Sequence, residues 1–364
     1  VLGRAGAWCG QNKYLSAIKN AFQNFMPLTI AGAIGVLWCN VLVNDQTGLG
    51  LFFKPIMALD FLNPAFQAVN FCTISCITVG ITLGIAQEIG VWNMGAERAG
   101  YIPGLVGLAA WLSVTNTSHM VEGAKEAFTG IAGNELGATG LFTGMIIGVL
   151  SVELFCFFEK QDALKIKMPE QVPPGVARAF EVLVPATITL IITACIGSAC
   201  YNLTGLYLND VIKNGIQGPL GAVGATIPGV MIIYLVIMLF WLVGIHGNNM
   251  LSAVKEALFT PLALENVEKF NKGEKPTNII NMYFLQMCGE FGGSGVTIGL
   301  VIAIMIFGKR EDNKAIASLS LVPGLFNINE TVTFGIPMVL NPILGIPFVF
   351  ACLVTILVGY VLTV

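Results

Sequence analysis

The 364 residues include 18 Lys and Arg and 21 Asp and Glu, which gives a formal net charge of −3 at pH 7. Charged residues make up 11% of the chain and hydrophobic residues 55%, whereas about a quarter of an ordinary soluble domain is charged. So few charges cannot cover a soluble core of this size, and the composition therefore indicates a polytopic membrane protein. It excludes a β-barrel, whose strands would alternate polar and apolar residues, and without a basic patch it excludes nucleic acid as a partner.

Apolar segments long enough to cross a bilayer recur along the chain. A transmembrane helix needs about 20 predominantly apolar residues, and we predict an all-α polytopic membrane protein with about 8–10 transmembrane helices. Segments 50–63 and 203–222 mix apolar residues with Lys and Asp, which predicts helices lying along the membrane interface. Segment 279–307 is too long for one span and is interrupted by glycines, which predicts a broken helix or two shorter ones. The other predicted spans are 25–43, 67–89, 102–114, 137–158, 181–202, 225–245 and 344–363.

The distribution of Lys and Arg between loops predicts the orientation of the chain, because these residues concentrate on the cytoplasmic side. We place the N-terminus in the cytoplasm and assume that 246–265 dips into the membrane and returns and that 279–307 crosses it twice. Fifteen Lys and Arg then lie inside and three outside. The inside group includes Lys255, Lys309, Arg310 and Lys314.

The longest charged loop, 159–180, is cytoplasmic in this arrangement. It divides the chain into an N-terminal transmembrane half, 1–175, and a C-terminal transmembrane half, 176–364. The C-terminal half contains the polar segments broken by Gly and Pro, and transporters often build their binding sites from such discontinuous helices. We therefore expect the binding site in the C-terminal half.

The nine cysteines lie mostly inside apolar runs and form no CxxC or metal-binding spacing. We interpret them as small buried apolar residues rather than disulfide partners. The sequence also lacks dinucleotide-binding, P-loop, zinc and Ser-His-Asp patterns. We therefore predict no cofactor and no bound metal.

Three ionisable residues stand alone in apolar segments, where a charge is costly and is therefore a candidate for function. His246 is the only titratable side chain other than tyrosine within 214–254, and Glu330 is the only charged residue within 315–364. Glu290 is isolated in the same way near the centre of the broken apolar segment.

Each of these residues has a structural alternative. His246 could be a histidine at a cytoplasmic helix end without a ligand, and Glu330 a carboxylate bonded to backbone amides at a helix N-terminus. Glu290 is a structural or loop-exposed acid in the alternative interpretation. Trp241 is expected to anchor its helix at the membrane interface, where tryptophan is enriched.

Polar residues crowd around Glu330, after Pro323 and Gly324 have stopped the preceding helix. Broken backbone at membrane depth is tolerated where it is buried in protein or lines a wet cavity, so this segment is a candidate site. The run Gly292-Gly293-Ser294 would let backbone amides approach a ligand closely. The polar neighbours of Glu330 are Asn327, Asn329, Thr331 and Thr333.

A family resemblance is carried by the blocks WLVGIHG (241–247), GGSGVTIGL (292–300), LVPGLFNINETVTFGIPMVLNPILGIPF (321–348) and KIKMPEQVPPGVARAFEVLVP (165–185). The early segment KYLSAIKNAFQNFMPLTIAGA (13–33) fits the same pattern. Together they resemble the membrane component, enzyme IIC, of a bacterial sugar phosphotransferase system, in particular its lactose/cellobiose/diacetylchitobiose branch.

The resemblance implies a transporter that binds a disaccharide outside and releases it inside after phosphorylation at a sugar 6-hydroxyl. The phosphoryl donor would be a phosphocysteine of enzyme IIB, supplied in turn by enzyme IIA. The implied fold is a homodimer in the bacterial cytoplasmic (inner) membrane, with an N-terminal dimerisation half. The C-terminal half would bind the sugar, contain two re-entrant hairpins and move as a rigid body.

By motif, the family's sugar-binding histidine and glutamate fall on His246 and Glu330, which we predict to be catalytic. A tryptophan that stacks against the sugar falls on Trp241. Asn327 and Asn329 offer donors and acceptors to other sugar hydroxyls. The remaining predicted substrate-binding residues are Gly292, Gly293 and Ser294.

The sequence departs from the family pattern in two places. Family members continue past the last block with a Trp-containing segment and a final span, so we expect part of the sugar pocket to be missing from this chain. Glu290 matches no acid that the family requires, and its role stays open. An ion-coupled secondary sugar transporter and a membrane receptor without transport remain the competing hypotheses.

Overall fold

The computed structural model describes residues 11–45, 48–119, 128–169, 171–325, 327–336, 338 and 341–364. The described residues pack as two units: the N-terminal unit is Ala17–Gln217, and the C-terminal unit is Gly218–Val364 together with residues 11–16. The boundary after Gln217 differs from the predicted division at 175/176, because the long helix Pro174–Thr204 packs against helices of the N-terminal unit. The assignment of dimerisation to one half and sugar binding to the other stays a prediction.

Helices dominate the N-terminal unit, and a pair of two-residue antiparallel strands, β1 (Ser118–His119) and β2 (Phe128–Thr129), accompanies them. Turns of 3₁₀ or π geometry continue or break several helices, at Trp38–Leu42, Leu49–Leu51, Lys54–Leu62, Phe71–Ser75, Asp162–Leu164 and Lys213–Gln217. The helices are α1 (Lys13–Leu37), α2 (Asn63–Asn70), α3 (Ile77–Met94), α4 (Ala96–Ala99), α5 (Ile102–Val114), α6 (Gly133–Leu136), α7 (Ala138–Glu159), α8 (Pro174–Thr204) and α9 (Leu208–Ile212).

Helix α3 lies at the centre of this unit, because α5 and α7 both pack on it. Residues four apart lie on one face of a helix, and a stripe of isoleucines with that spacing is buried. Helix α7 approaches α3 closely, since an added Cβ at Gly144 would lie 2.2 Å from Thr82 Oγ1. Small residues at helix contacts allow this approach in membrane proteins. The buried stripe is Ile77, Ile81, Ile85 and Ile89.

Charged side chains at one end of the N-terminal unit form an ion-pair network around Glu159, whose side chain is only 3% exposed. Arg98 and Arg178 contact Glu159 Oε1 at 2.8 and 2.9 Å. Both arginines also pair with Glu181, at 2.9 and 2.8 Å. The network connects the end of α7 to the first turns of α8 across the loop 159–180, which the sequence predicts to be cytoplasmic.

The C-terminal unit is also helical. A buried cluster joins residues of all the helices from α11 to α17. The helices are α10 (Gly218–Gly224), α11 (Ile227–Leu242), α12 (Gly247–Asn271), α13 (Met282–Cys288), α14 (Thr297–Phe307), α15 (Glu311–Leu325), α16 (Glu330–Gly335) and α17 (Pro342–Thr363).

The segment 279–307 consists of two short helices on either side of a glycine loop, as predicted. Helices α13 and α14 have 7 and 11 residues, so they are about 10 and 16 Å long at 1.5 Å per residue. Neither spans a hydrocarbon core of about 30 Å. Neither helix can therefore make one of the two crossings assumed within 279–307, and the cytoplasmic position of Lys309, Arg310 and Lys314 stays a prediction.

The reversal assumed within 246–265 is wrong as well. Helix α12 runs without interruption from Gly247 to Asn271, with Pro261 inside it. Lys255, which was counted as a cytoplasmic loop cation, lies on this helix and is 6% exposed. The cytoplasmic N-terminus stays a prediction that rests on the other loop cations.

Length and composition identify the membrane-spanning candidates within the described ranges. Four helices are long and apolar enough to cross a membrane, and a helix pair bent by 41° between Ser75 and Ile77 would make a fifth. Helices α5, α11 and α14 are apolar but shorter. The all-α membrane architecture is confirmed, whereas the total of about 8–10 spans and the two re-entrant hairpins stay predictions.

Candidate functional site

The turn between α11 and α12 contains His246 and has a specific backbone geometry. Helix α11 ends in a Schellman motif, in which Gly244 N–H donates to Trp241 O at 2.9 Å and Ile245 N–H donates to Phe240 O at 3.0 Å. Gly244 has φ 80°, a left-handed conformation that glycine adopts without strain. Gly244 of the WLVGIHG block therefore ends the helix, and His246 lies at the start of the next one.

His246 is the N-cap of α12 and is half-buried. Its Nδ1 accepts a hydrogen bond from the Asn249 N–H at 3.2 Å. Because Nδ1 accepts, the neutral imidazole carries its proton on Nε2, which is therefore a hydrogen-bond donor. His246 therefore lies at a helix end, as its structural alternative proposes, while its cytoplasmic location and its role in binding stay predictions.

Trp241 lies in the core rather than at a surface. Its side chain is 0% exposed, and its ring centroid lies 4.4 Å from that of His246 and 6.2 Å from that of Phe334. Its Nε1–H has no hydrogen-bond partner among the described residues. The expectation of an interfacial anchor is wrong, because the ring has no exposed surface, and stacking against a sugar stays a prediction.

The loop between α13 and α14 turns tightly through three glycines with positive φ. Gly292, Gly293 and Gly295 have φ values of 79°, 97° and 78°, which only glycine adopts readily. Gly293 N–H donates to Glu290 O at 2.8 Å, and Val296 N–H donates to Gly293 O at 3.0 Å. The sequence of this loop thus specifies its backbone. The segment from Gly289 to Val296 is called the glycine loop below.

The asparagines of the predicted site bind the glycine loop directly. Asn327 Oδ1 accepts from the Gly292 N–H at 2.8 Å, and Asn329 Nδ2 donates to Ser294 O at 3.0 Å. A Cβ added at Gly293 would lie 2.4 Å from Asn329 Cβ, so the two segments touch. Asn329 is buried and Asn327 is exposed.

Seven of the eight predicted site residues form one connected region of the C-terminal unit. The ring contacts of Trp241 link His246 to Phe334 of α16, and Glu330 is the first residue of that helix. The side chain of Glu330 lies outside the described part of the structure, so its role stays a prediction. Direct contacts join Trp241 to His246, and they join Gly292, Gly293 and Ser294 to Asn327 and Asn329. The two groups are linked through Phe334 of α16 and through Asn248 of α12.

The sequence interpretation missed a buried polar cluster beside this region. Lys255 forms an ion pair with Glu290 Oε1, and the Tyr234 hydroxyl donates to the same oxygen at 2.7 Å. Lys255 also donates to Asn248 Oδ1 at 3.4 Å, and Asn248 Nδ2 donates to Ser294 Oγ at 2.8 Å. Glu290 is therefore a structural acid and not a loop-exposed one.

The chain is similar to known proteins of one family. A family model described as "Phosphotransferase system, EIIC" matches residues 19–352. The chain is 33% identical over 353 residues to the oligo-beta-mannoside-specific EIIC component of Bacillus subtilis, covering 96% of this chain and 77% of that protein. It is 29% identical to the cellobiose-specific EIIC component of Lactococcus lactis, covering 97% and 83%.

A solved structure is also similar. The crystal structure of the transporter ChbC, the IIC component from the N,N'-diacetylchitobiose-specific phosphotransferase system, superposes with a TM-score of 0.89. The two chains are 29% identical, and the match covers 100% of this chain and 83% of that one.

Proposed function

The chain belongs to the EIIC family of the phosphotransferase system and is a membrane sugar transporter, and we propose that it imports a β-linked disaccharide. Import is coupled to phosphorylation of the sugar's 6-hydroxyl by a separate enzyme IIB. The relatives named for cellobiose and for diacetylchitobiose support this substrate class. Lactose is a third candidate, because the Staphylococcus aureus relative that is 32% identical is lactose-specific.

The observation that carries the proposal is the convergence of three separate chain segments. The His246 turn, the glycine loop and the asparagines before α16 are connected by side-chain contacts, although they are up to 83 residues apart in the sequence from His246 to Asn329. Such a site offers the donors and acceptors that sugar hydroxyls need, on a largely buried scaffold.

We assign the chemistry within this site to two groups. A sugar hydroxyl is a poor nucleophile, and phosphoryl transfer depends mainly on positioning and on relieving the hydroxyl of its proton. Glu330 accepts that proton as the hydroxyl oxygen attacks the phosphorus of the phosphocysteine, and the thiolate of enzyme IIB leaves. The Nε2–H of His246 donates a hydrogen bond that orients the hydroxyl.

The remaining features of the proposal follow from family membership. EIIC components of these systems work with EIIB, EIIA and a sugar substrate, and we place this chain in the bacterial inner membrane with its N-terminus in the cytoplasm. We propose a homodimer formed through the N-terminal half, with the C-terminal half carrying the sugar in two re-entrant hairpins. Crosslinking in native membranes would test the dimer.

The direct test of the site is Glu330→Gln. Glutamine keeps the volume and an acceptor oxygen but removes the basic carboxylate, so transfer from phosphorylated enzyme IIB should fall by about 10²–10⁴. Sugar binding should fall less, because one hydrogen bond to a charged group is worth about 1.5–3 kcal/mol. Transfer and the binding of cellobiose, diacetylchitobiose and lactose are measured on the purified protein.

Glu311→Gln is the matched control. Glu311 also begins a helix, α15, and its side chain is 86% exposed, so both quantities should stay at the wild-type level. Equal losses of binding and transfer in Glu330→Gln would make Glu330 a sugar anchor rather than a base. Full transfer by a folded variant would refute its role in catalysis.

A further inference from the structure

A buried ion pair lies next to the proposed site. Lys255 of α12 and Glu290 of the glycine loop contact each other with side chains that are 7% and 13% exposed. The hydroxyl of Tyr234, on α11, donates to the same carboxylate oxygen, and the Lys255 ammonium lies 5.8 Å from the centroid of the Tyr234 ring. Three separate elements therefore meet at one carboxylate.

Hydrogen bonds link this ion pair to the proposed site. Lys255 donates to Asn248, which stands two turns earlier on the same face of α12 and donates in turn to the Ser294 hydroxyl. The backbone carbonyl of Ser294 accepts from Asn329, the residue immediately before α16. A continuous chain of polar contacts thus runs from the ion pair to the residue that precedes Glu330.

We propose that Lys255 and Glu290 are positioning residues, whose ion pair fixes the glycine loop against α12 in the form that binds sugar. This inference rests on the proposed function, because it assigns the pair to the same sugar site. Lys255 and Tyr234 are too deeply buried to touch a ligand themselves, so they act through Asn248 and Ser294.

The cost of burial supports a positioning role. Burying two charges is expensive even when they are paired, and well-packed apolar residues often stabilise a fold as well or better. Fully bonded polar networks, by contrast, hold their members in one arrangement. The glycine loop requires such a restraint, because glycine loses more conformational freedom on ordering than other residues.

The test uses the double variant Lys255→Met/Glu290→Gln in the full-length protein. A single substitution would leave one buried charge unpaired and destabilise the fold, whereas the double variant removes both charges and keeps an acceptor for Tyr234. Thermal unfolding and the binding of cellobiose and diacetylchitobiose are measured together. Glu268→Gln, which removes the exposed partner of Lys272 at the end of the same helix, is the control.

The double variant should unfold near the wild-type temperature and bind the sugar about tenfold more weakly, because loop groups must then be ordered on binding. The control should change neither quantity. Wild-type affinity in the folded double variant would overturn the inference.

A second variant covers the case in which the double variant does not fold. Asn248→Ala leaves the ion pair intact and cuts its connection to Ser294, and it should weaken sugar binding to a similar extent. Unchanged affinity in this variant would also overturn the inference. Absence of sugar binding by the wild-type protein would instead refute the proposed function.

Discussion

At the residue scale, we assign different roles to the two ring nitrogens of His246. Nδ1 caps helix α12 by accepting the Asn249 N–H, and Nε2 is the donor that we assign to the sugar. A substitution by alanine removes both, so its effect on sugar binding would mix a structural loss with a functional one. Asparagine separates them, because it is among the best N-cap residues.

We expect His246→Asn to fold as the wild type does and to bind sugar about tenfold more weakly, since one neutral hydrogen bond is worth about 0.5–1.5 kcal/mol. His246→Ala should lose the same affinity and about 1 kcal/mol of stability in addition. Thermal unfolding and sugar titration on both variants measure the two effects. If asparagine restores sugar binding completely, then His246 only caps the helix.

Isolation in the sequence singled out His246 and Glu290 but did not reveal the partner of Glu290. A lone acid in an apolar segment calls for a cation, and the spacing of seven between Asn248 and Lys255 places both on one helix face. Those two signals point to Lys255. It was missed because a single sequence does not show which distant lysine approaches a given acid, and the count of loop charges had already assigned Lys255 to the cytoplasmic side.

The glycine loop is the element on which the site depends most. Gly292 and Gly293 have positive φ values, and Gly293 also contacts Asn329, so both positions require a residue without a side chain. The sequence indicated only a weak glycine-rich signal. The partners of the loop lie more than thirty residues further along the chain, which local sequence patterns do not reveal.

Gly293→Ala should displace the loop from Asn329. The φ of 97° costs an L residue about 1–3 kcal/mol, and the collision of the new Cβ with Asn329 costs about 1–3 kcal/mol more. Sugar affinity should fall at least tenfold, as measured by titration after the folded fraction has been determined.

Gly299→Ala provides the comparison for that variant. Gly299 is the third residue of α14, and a Cβ there meets nothing within 4 Å. Alanine is a better helix former than glycine by about 1 kcal/mol, so stability should be kept or raised and sugar binding unchanged. Equal sugar affinities in the two variants would show that the loop contact does not shape the site.

At the element scale, sequence patterns predicted the positions of several helices, because apolar runs are the dominant signal in a membrane protein. The segment 102–114 matches α5 at both ends, and 344–363 falls within α17. The predicted span 67–89 misses the bend at Phe71–Ser75, since a π-helical turn changes hydrogen bonding without changing hydropathy. The reversal assumed within 246–265 failed because α12 is a long helix of mixed polarity.

At the scale of the whole molecule, the two units differ in their helix contacts, loops and polar networks. The N-terminal unit has long helices with close glycine contacts and an ion-pair network around Glu159, which suits a rigid scaffold. The C-terminal unit combines the long helices α12 and α17 with short helices, tight loops and a buried polar chain, which suits a binding unit. This contrast agrees with the division of labour that we propose for the two halves.

Coupling of transport to phosphorylation is the central claim, and it separates this account from an ion-coupled transporter. Membrane vesicles containing the protein are loaded with phosphoenolpyruvate and the soluble phosphocarriers, including enzymes IIA and IIB, and are then given radiolabelled cellobiose or diacetylchitobiose. The account predicts that the label accumulates inside as the sugar 6-phosphate, at a rate unchanged when ionophores collapse the ion gradients. Gradient-driven accumulation of unmodified sugar, independent of phosphoenolpyruvate, would contradict it.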